Sequence, residues 1–459
     1  MQPPFVHNGD APARTESVRA HNLGLVLRAV AFADAPISRA SVAARTGLTR
    51  ASVSALVETL IEGRLVRETG APTRAGVGRP STGLVLDATG PAGLGIELNV
   101  DHVSVCVADL TGAVRIQRSA VFAPATAPAE AATVAEAPVA EAASGAAAGA
   151  ARVASRAEAL AGMVREVVAE VGALALTLSG AALAVPGLVD PATGEPVVTP
   201  NLDAGGVRAS LTSSLGGLPL VVENEATLAA RAEQRALGVD APRSFLQVSG
   251  EVGIGAGLVL DGQLYRGRHG WSGELGHVTV WPGGRACGCG SDGCLEQYAG
   301  LRAIARTASA EPGAASATAP SAATAPSAAA ARGAASAAGP GAVGGDGSFA
   351  ARASAGEPAI LAALAEAGEA LGIALAGALN LLDLDAVVLG GAHAELAPWL
   401  VEPIEAQLSR RLVGAAVSRP TVRASALGAD AAALGAAWSV LDRVLDDPAG
   451  WLARGDEHF

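Results

Sequence analysis

Apolar positions along the chain follow two different periods. Between residues 21 and 66 they recur at helical spacing, with Leu23, Val26, Leu27 and Val30 on one stripe and Val53, Leu56, Val57 and Leu60 on another. This pattern predicts helices over about 22–32, 38–45 and 49–62, the last two started by Ser38 and Thr49 as caps, with Gly47 turning the chain between them. Two short apolar runs, Leu65-Val66 and Leu84-Val85-Leu86, then flank a Gly- and Arg-rich loop and predict a β-hairpin. After Asp87 the strand period takes over. Residues 93–98 and 103–109 alternate and could pair across 99–101. Further strands are expected at 181–185, 220–222, 245–248, 256–260 and 387–389, with helices at about 156–171 and 358–382. Strands interleaved with helices in two similar halves give an α/β architecture.

A length of 459 residues leaves room for two or three domains, and 50% apolar residues allow a large core. Residues 1–13 read as a loose tail. Residues 123–155 are mostly Ala, Pro, Glu and Gly, and residues 308–348 are Ala, Ser, Pro, Gly and Thr. Neither stretch carries large apolar anchors, so both are expected to be surface insertions. The apolar runs are broken by Gly, Pro or charges, and none reads as a signal peptide or membrane span. Cys106, in the alternating run Val103 to Val107, is expected to be buried and inert. A reducing, cytoplasmic setting without a membrane partner follows as the expectation.

Charge divides the chain. The net value is −12, yet residues 14–80 hold ten arginines against Glu16, Asp34, Glu58, Glu62 and Glu68. A basic head on an acidic body points to a nucleic-acid-binding module joined to something else. All 32 basic residues are Arg, as a strong compositional bias would produce, so lysine chemistry, whether a Schiff base or a phosphate-binding Lys, is excluded. Helix, Gly turn and helix followed by a hairpin is the winged helix-turn-helix pattern, assigned to residues 14–88. Its third helix offers Thr49, Arg50, Ser52 and Ser54 to base edges and phosphates, and the wing offers Arg74 and Arg79. The expected partner is a double-stranded DNA operator. The bland alternative is a helical docking domain with solvated arginines.

Three of the four cysteines fall within eight residues, as Cys287-Gly288-Cys289 and Cys294, shortly after His277. One imidazole and three thiolates complete a tetrahedral shell around Zn2+, and four protein ligands leave no open position, which marks a structural site. Free or disulfide-paired thiols are the alternative.

Gly273-Glu274-Leu275-Gly276-His277, followed by Cys287-x-Cys289-Gly290-x-x-Gly293-Cys294-Leu295-Glu296, resembles the signature of the ROK family of repressors, open reading frames and sugar kinases. Val185-Pro186-Gly187-Leu188-Val189-Asp190, Pro200-Asn201-Leu202, Glu223-Asn224-Glu225-Ala226, Leu264-Tyr265-Arg266-Gly267 and Val388-Leu389-Gly390-Gly391 are similar to the family as well. The resemblance covers nearly the whole chain outside the tail and the two insertions. It implies a two-lobed, actin-like (ribonuclease H-like) ATPase fold over residues 89–440, with a sugar cleft between the lobes. Carried over by motif, the sugar contacts fall on Asn201, Asn224, Glu225, Glu274, His277 and Glu296. The family also implies that His277 faces the zinc with one ring nitrogen and the sugar with the other, and that the protein is a homodimer or homotetramer.

Kinases of the family carry Asp-x-Gly-Gly-Thr between the first two strands, where this chain has Glu97-Leu98-Asn99-Val100-Asp101. The glycines and the threonine are gone, and two carboxylates are expected to repel a triphosphate. In the second phosphate loop, Ser249-Gly250-Glu251-Val252-Gly253-Ile254-Gly255-Ala256-Gly257, Glu251 replaces a small hydroxyl residue. The family's catalytic Asp becomes Glu225, a vestigial base read mainly as a ligand contact. The combined expectation is a transcription regulator, most often a repressor, that responds to a sugar or sugar derivative and is not an enzyme. The alternative is a sugar kinase that phosphorylates a hexose with ATP and carries an appended DNA-binding head.

Overall fold

The computed structural model describes residues 15–70, 82–100, 102–121, 157–199, 205–238, 241–310 and 348–455. Arg74, Arg79, Asp101 and Asn201 lie outside the described residues, as do the tail and nearly all of both low-complexity segments.

The head begins with α1 (Thr15–Ala31), β1 (Ile37–Ser38), α2 (Arg39–Thr46) and α3 (Arg50–Glu62), and ends with β2 (Val66–Thr69) and β3 (Gly83–Leu86). Both expected caps form: the side chain of Ser38 accepts from the Ser41 N–H and that of Thr49 from the Ser52 N–H, each at 3.1 Å. Gly47 takes the left-handed conformation, φ 73°, that ends α2. Helix α1 starts at Thr15, well before the apolar stripe does, because its first two turns are polar and leave no period to read. The wing pairs Val66 with Leu86 and is joined by β1 in the order β1-β3-β2.

The first lobe is built on β4 (Pro91–Leu98), β5 (His102–Asp109), β6 (Val114–Val121), α4 (residues 157–173), β7 (Thr177–Val185), the hairpin β8 (Leu188–Val189) and β9 (Pro196–Val198), α5 (Gly205–Ser214) and β10 (Leu220–Asn224). Its sheet runs β10-β7-β4-β5-β6. Leu160, Val164 and Val167 of α4 and Val207 and Leu211 of α5 cover one face. Helix α6 (Glu225–Leu237) then crosses to the second lobe.

That lobe holds β11 (Phe245–Gly250), β12 (Ile254–Leu260), β13 (Gln263–Tyr265), α7 (Glu296–Ala299), α8 (Leu301–Ser309), α9 (Phe349–Ser354), α10 (Pro358–Leu382), β14 (Ala386–Gly391), α11 (Ala392–Arg411) and β15 (Thr421–Ala424). The sheet order is β13-β12-β11-β14-β15. Ala230 of α6 packs on Phe245, Val259 and Val388 on one face, while α8, α10 and α11 close the other. By length and composition α10 could cross a membrane, but its apolar side chains, among them Leu364, Leu371 and Leu375, are buried in this core.

The chain finally returns to its beginning through α12 (Ala431–Asp446) and α13 (Pro448–Gly455). Leu441, Val444 and Leu445 of α12 share one apolar core with Leu23, Val26, Leu27 and Val30 of α1 and with Leu228 of α6. Trp451 Nε1 donates to the Gly63 carbonyl at 3.0 Å, and Arg64 Nη2 donates to the Ala175 carbonyl at 2.9 Å. The head is thereby fastened to the first lobe by a continuous core and by hydrogen bonds on both sides of it.

Candidate functional site

Strand β12 organises the cleft. Its Ala256 N–H donates to the Gly273 carbonyl at 2.9 Å, which lays the run Gly273 to His277 alongside it. Ala226, the second residue of α6, lies against Gly255 and Gly257 of the same strand, where any larger residue would collide with it. Just before the strand, Gly253 faces Glu296: a Cβ there would sit 2.5 Å from the Glu296 carboxylate. The start of α6, the Glu274 run and the start of α7 are therefore all packed along this strand, and Glu274 and Glu296 lie near enough for their charges to interact. Glu274 keeps 41% of its side chain exposed, and desolvation of the rest pushes its carboxyl above the usual range; His277 works against that shift and the charge of Glu296 adds to it.

Asn224 caps α6, accepting from Thr227 N at 2.9 Å, and its amide donates to the Gly187 carbonyl at 3.0 Å. One of its N–H groups remains for a ligand. Glu225 Oε2 accepts from Asn99 Nδ2 at 3.2 Å. Sequence reasoning missed this contact, which joins residues 126 apart through a turn that Asn99 N–H closes onto the His102 carbonyl at 2.9 Å. Glu97 departs from expectation. It is only 3% exposed and lies with Oε1 3.3 Å from His102 Nε2, so it does not stand as a carboxylate facing a phosphate. Glu251 lies at the N-terminus of α11, with Oε1 2.4 Å from where a Cβ on Gly391 would be. A carboxylate there is favoured by the helix dipole.

The His277, Cys287, Cys289 and Cys294 ligand atoms all lie within 4.8 Å of one another. Cys287 Sγ is 3.7 Å from His277 Nδ1, and Cys289 Sγ is 3.7 Å from Cys294 Sγ. Tetrahedral zinc with Zn–S bonds of about 2.3 Å would set ligand atoms about 3.7 Å apart, the separation of these two pairs. Neither pair is at disulfide distance, which is about 2.05 Å. Gly293 makes the loop possible: its φ is +67° and a Cβ would strike the Trp281 carbonyl at 1.8 Å. Gln297 Nε2 adds a donor to Cys287 Sγ at 3.7 Å. His277 Nδ1 faces the thiols, while its Nε2 lies 4.0 Å from Glu274 Oε2.

Burial and the adjacent thiols push Cys294 up to about 12, and burial also raises Cys287. At Cys289 burial acts upward too, but hydrogen bonds from the Ser291 backbone and the other two thiols outweigh it, and the net shift is down. Cys106 is buried and pushed up to about 12 by desolvation and the charge of Asp430. In metal-free protein at pH 8, iodoacetamide is expected to modify exposed Cys289 first and to leave Cys106 unreacted until unfolding. Peptide mass mapping of the labelled protein checks this, and early alkylation of Cys106 contradicts it.

In the head, Thr49, Arg50, Ser52 and Ser54 are all exposed on the first turns of α3. Thr49 and Ser52 also bond each other, their hydroxyls 2.9 Å apart. Arg39 pairs with Glu58 at 2.7 Å and with Glu68, which offsets two acidic groups beside this face.

Comparison with known proteins places these features in context. The ROK family model matches residues 151–443, and an IclR-type helix-turn-helix model matches residues 22–70. A xylose repressor of Bacillus subtilis is 27% identical over 432 residues, covering 94% of this chain and 97% of its own. A glucokinase of Streptomyces coelicolor is 34% identical over 223 residues, covering 48% of this chain and 67% of its own. In structure, a ROK family transcriptional regulator described as a homologue of the E. coli MLC protein superposes with a TM-score of 0.67 at 24% identity, covering 95% of this chain and 98% of that one.

Proposed function

This chain belongs to the ROK family, and on that premise we propose that it is a sugar-responsive, DNA-binding transcriptional repressor. The observation that carries the reading is a winged helix-turn-helix whose core is continuous with α6, the helix that begins at Glu225. Glu225, Glu274 and Glu296 accept from sugar hydroxyls, and His277 and Asn224 complete the grip. Asn201 joins them by motif. Relatives of nearly the same length are named xylose repressors, so xylose is the first effector to test. Thr49, Arg50, Ser52, Ser54, Arg74 and Arg79 meet the operator, and two heads on a two-fold axis of a homodimer, or of a homotetramer, read a pseudo-palindrome. Such a regulator works in the cytoplasm, where the DNA is.

The metal is Zn2+ in a structural role. Bound there, it supplies no open coordination position and no reactive water. His277, Cys287, Cys289 and Cys294 would hold it, which would keep the imidazole with Nε2 towards Glu274.

The chain is not a kinase on this reading. Asn99 occupies Glu225, Glu97 is paired with His102, and Glu251 lies at the head of α11 where a phosphate would be favoured. The surviving carboxylate at Glu225 and the similarity to a glucokinase keep the kinase as a second reading, and one experiment separates the two. Fluorescence anisotropy with operator DNA is expected to show an affinity change of at least tenfold with a saturating sugar, xylose first and then a hexose panel. A coupled ATP assay on the same panel is expected to give no turnover. Sugar-independent operator binding overturns the regulator, and turnover that disappears in Glu225→Ala establishes the kinase.

A further inference from the structure

The cleft residues described so far are carboxylates, an amide and an imidazole, all suited to the hydroxyl rim of a sugar. A pyranose ring also has apolar C–H faces, and ligand sites combine a few polar anchors with aromatic or apolar surface. The chain supplies such a surface at one place beside the cleft. All five of its tryptophans lie among the described residues, and Trp271 is the exposed one, at 43%. It stands three residues before Glu274, in the loop that follows β13.

That loop bridges the lobes. Arg266 Nε donates to Glu223 Oε1 at 2.5 Å, and Glu223 directly precedes Asn224 and Glu225 on the first lobe. Gly270 packs on Pro191 of the first lobe's turn between β8 and β9, where a Cβ would come within 3.0 Å of the proline ring. The loop is closed at its base, where Ser272 Oγ donates to the Tyr265 carbonyl at 2.7 Å and Ser272 N–H donates to the Arg266 carbonyl at 3.2 Å. Within it, the rings of Trp271 and His269 lie 5.3 Å apart between centroids, tilted by 36°. The indole is held by a neighbouring ring in a loop braced against the first lobe, three residues before Glu274.

We infer that Trp271 is a specificity-determining residue of the effector site, its ring packing on the C–H face of a neutral sugar whose hydroxyls are held by Glu225, Glu274 and Glu296. The inference rests on the sugar-responsive reading. It also assigns Arg266 and Glu223 a positioning role: their ion pair sets the aromatic face against the carboxylates when the lobes are together. A charged sugar phosphate gains nothing from such a face and meets three carboxylates, so the class favoured is an unphosphorylated pentose or hexose.

Isothermal titration of the intact protein with D-xylose and D-glucose tests it. For whichever of the two binds wild type more tightly, Trp271→Ala is expected to bind at least tenfold more weakly and Trp271→Phe within about threefold. Metal content and sugar-free operator binding should be unchanged in both variants. Saturating sugar should shift the tryptophan emission of wild type and leave that of Trp271→Phe unshifted, a readout that a purely structural role would not produce. Wild-type affinity in Trp271→Ala overturns this inference while the sugar reading stands. A wild type that binds neither of these nor any sugar of the hexose panel overturns the two together. If Trp271→Ala instead changes the oligomeric state and leaves sugar affinity intact, the ring is a contact between copies of the chain and the inference is wrong.

Discussion

Cys289→Ser is expected to abolish metal binding and the effector response together, while operator binding survives. Cys289 is the exposed member of the cluster, so the substitution opens no cavity, unlike one at fully buried Cys294. A serine hydroxyl is a poor zinc ligand, and even outer-shell changes cost about 10- to 100-fold in metal affinity. Losing a direct ligand should cost at least as much. On the proposed reading the consequence reaches the sugar site, because a metal held by this set would join two segments that each carry a proposed sugar contact. His277 lies three residues after Glu274, and Cys294 lies two before Glu296. Without the metal, the segments are joined mainly through backbone bonds such as Leu295 N–H to the Val278 carbonyl at 2.9 Å and Val280 N–H to the Gly293 carbonyl at 2.8 Å. Two carboxylates that repel each other then lose the frame that holds them close. Atomic absorption on the purified variant should find no zinc, and titration should show sugar affinity at least tenfold lower. Operator binding should be within about twofold of wild type, since the head has its own caps and core. Unchanged sugar affinity in metal-free protein would reduce the cluster to a staple of the fold.

The local features were legible in the sequence because local physics sets them. Ser38, Thr49 and Gly47 end or begin helices through contacts within three or four residues, so their types and positions announce them. The His277 and cysteine cluster was legible for the same reason: metal geometry fixes the ligand types, and the loop is short. What escaped has no local signature. Helix α12 buries every residue from Ala431 to Trp438, and Val440 and Leu441 after them, so it shows no apolar stripe there, and its role as the link to the head was invisible. Strand β6 buries only Ile116 and alternates too weakly to read. The Asn99 contact with Glu225 and the Glu97 pairing with His102 depend on how strands are brought together, which no spacing along the chain records. Trp271 was overlooked because a single tryptophan has no period, and only its exposure in a braced loop sets it apart.

Trp451→Ala is expected to uncouple the DNA-binding head from the first lobe. The indole of α13 donates to the carbonyl of Gly63, the residue that ends α3, and Leu452 fills the space beside it so closely that a Cβ on Gly63 would be 2.1 Å away. The end of the recognition helix is therefore seated on the last helix of the chain. One turn earlier, Asp446 approaches Arg28 of α1 at 3.5 Å, and Asp442 holds Arg231 of α6 at 2.7 Å. Helix α6 begins at Glu225, so the element that starts with this proposed ligand contact is packed into one body with the head, while Glu274, His277 and Glu296 stand on the second lobe. Movement of the second lobe on binding a sugar would then reorient the heads relative to each other without a hinge at the head itself. Truncating the buried part of Trp451 should remove about 3 kcal/mol of that docking. The head would keep its own core, and calorimetry should resolve a low-temperature transition ahead of the main one. Operator affinity should fall about tenfold, because loosely tethered heads lose the effective concentration that a fixed spacing provides. Sugar affinity and zinc content should stay at wild-type values, and sugar should no longer change operator binding. A single transition with a full sugar response would show that the seat on α13 is dispensable, and would move the coupling to the core shared by α1 and α12.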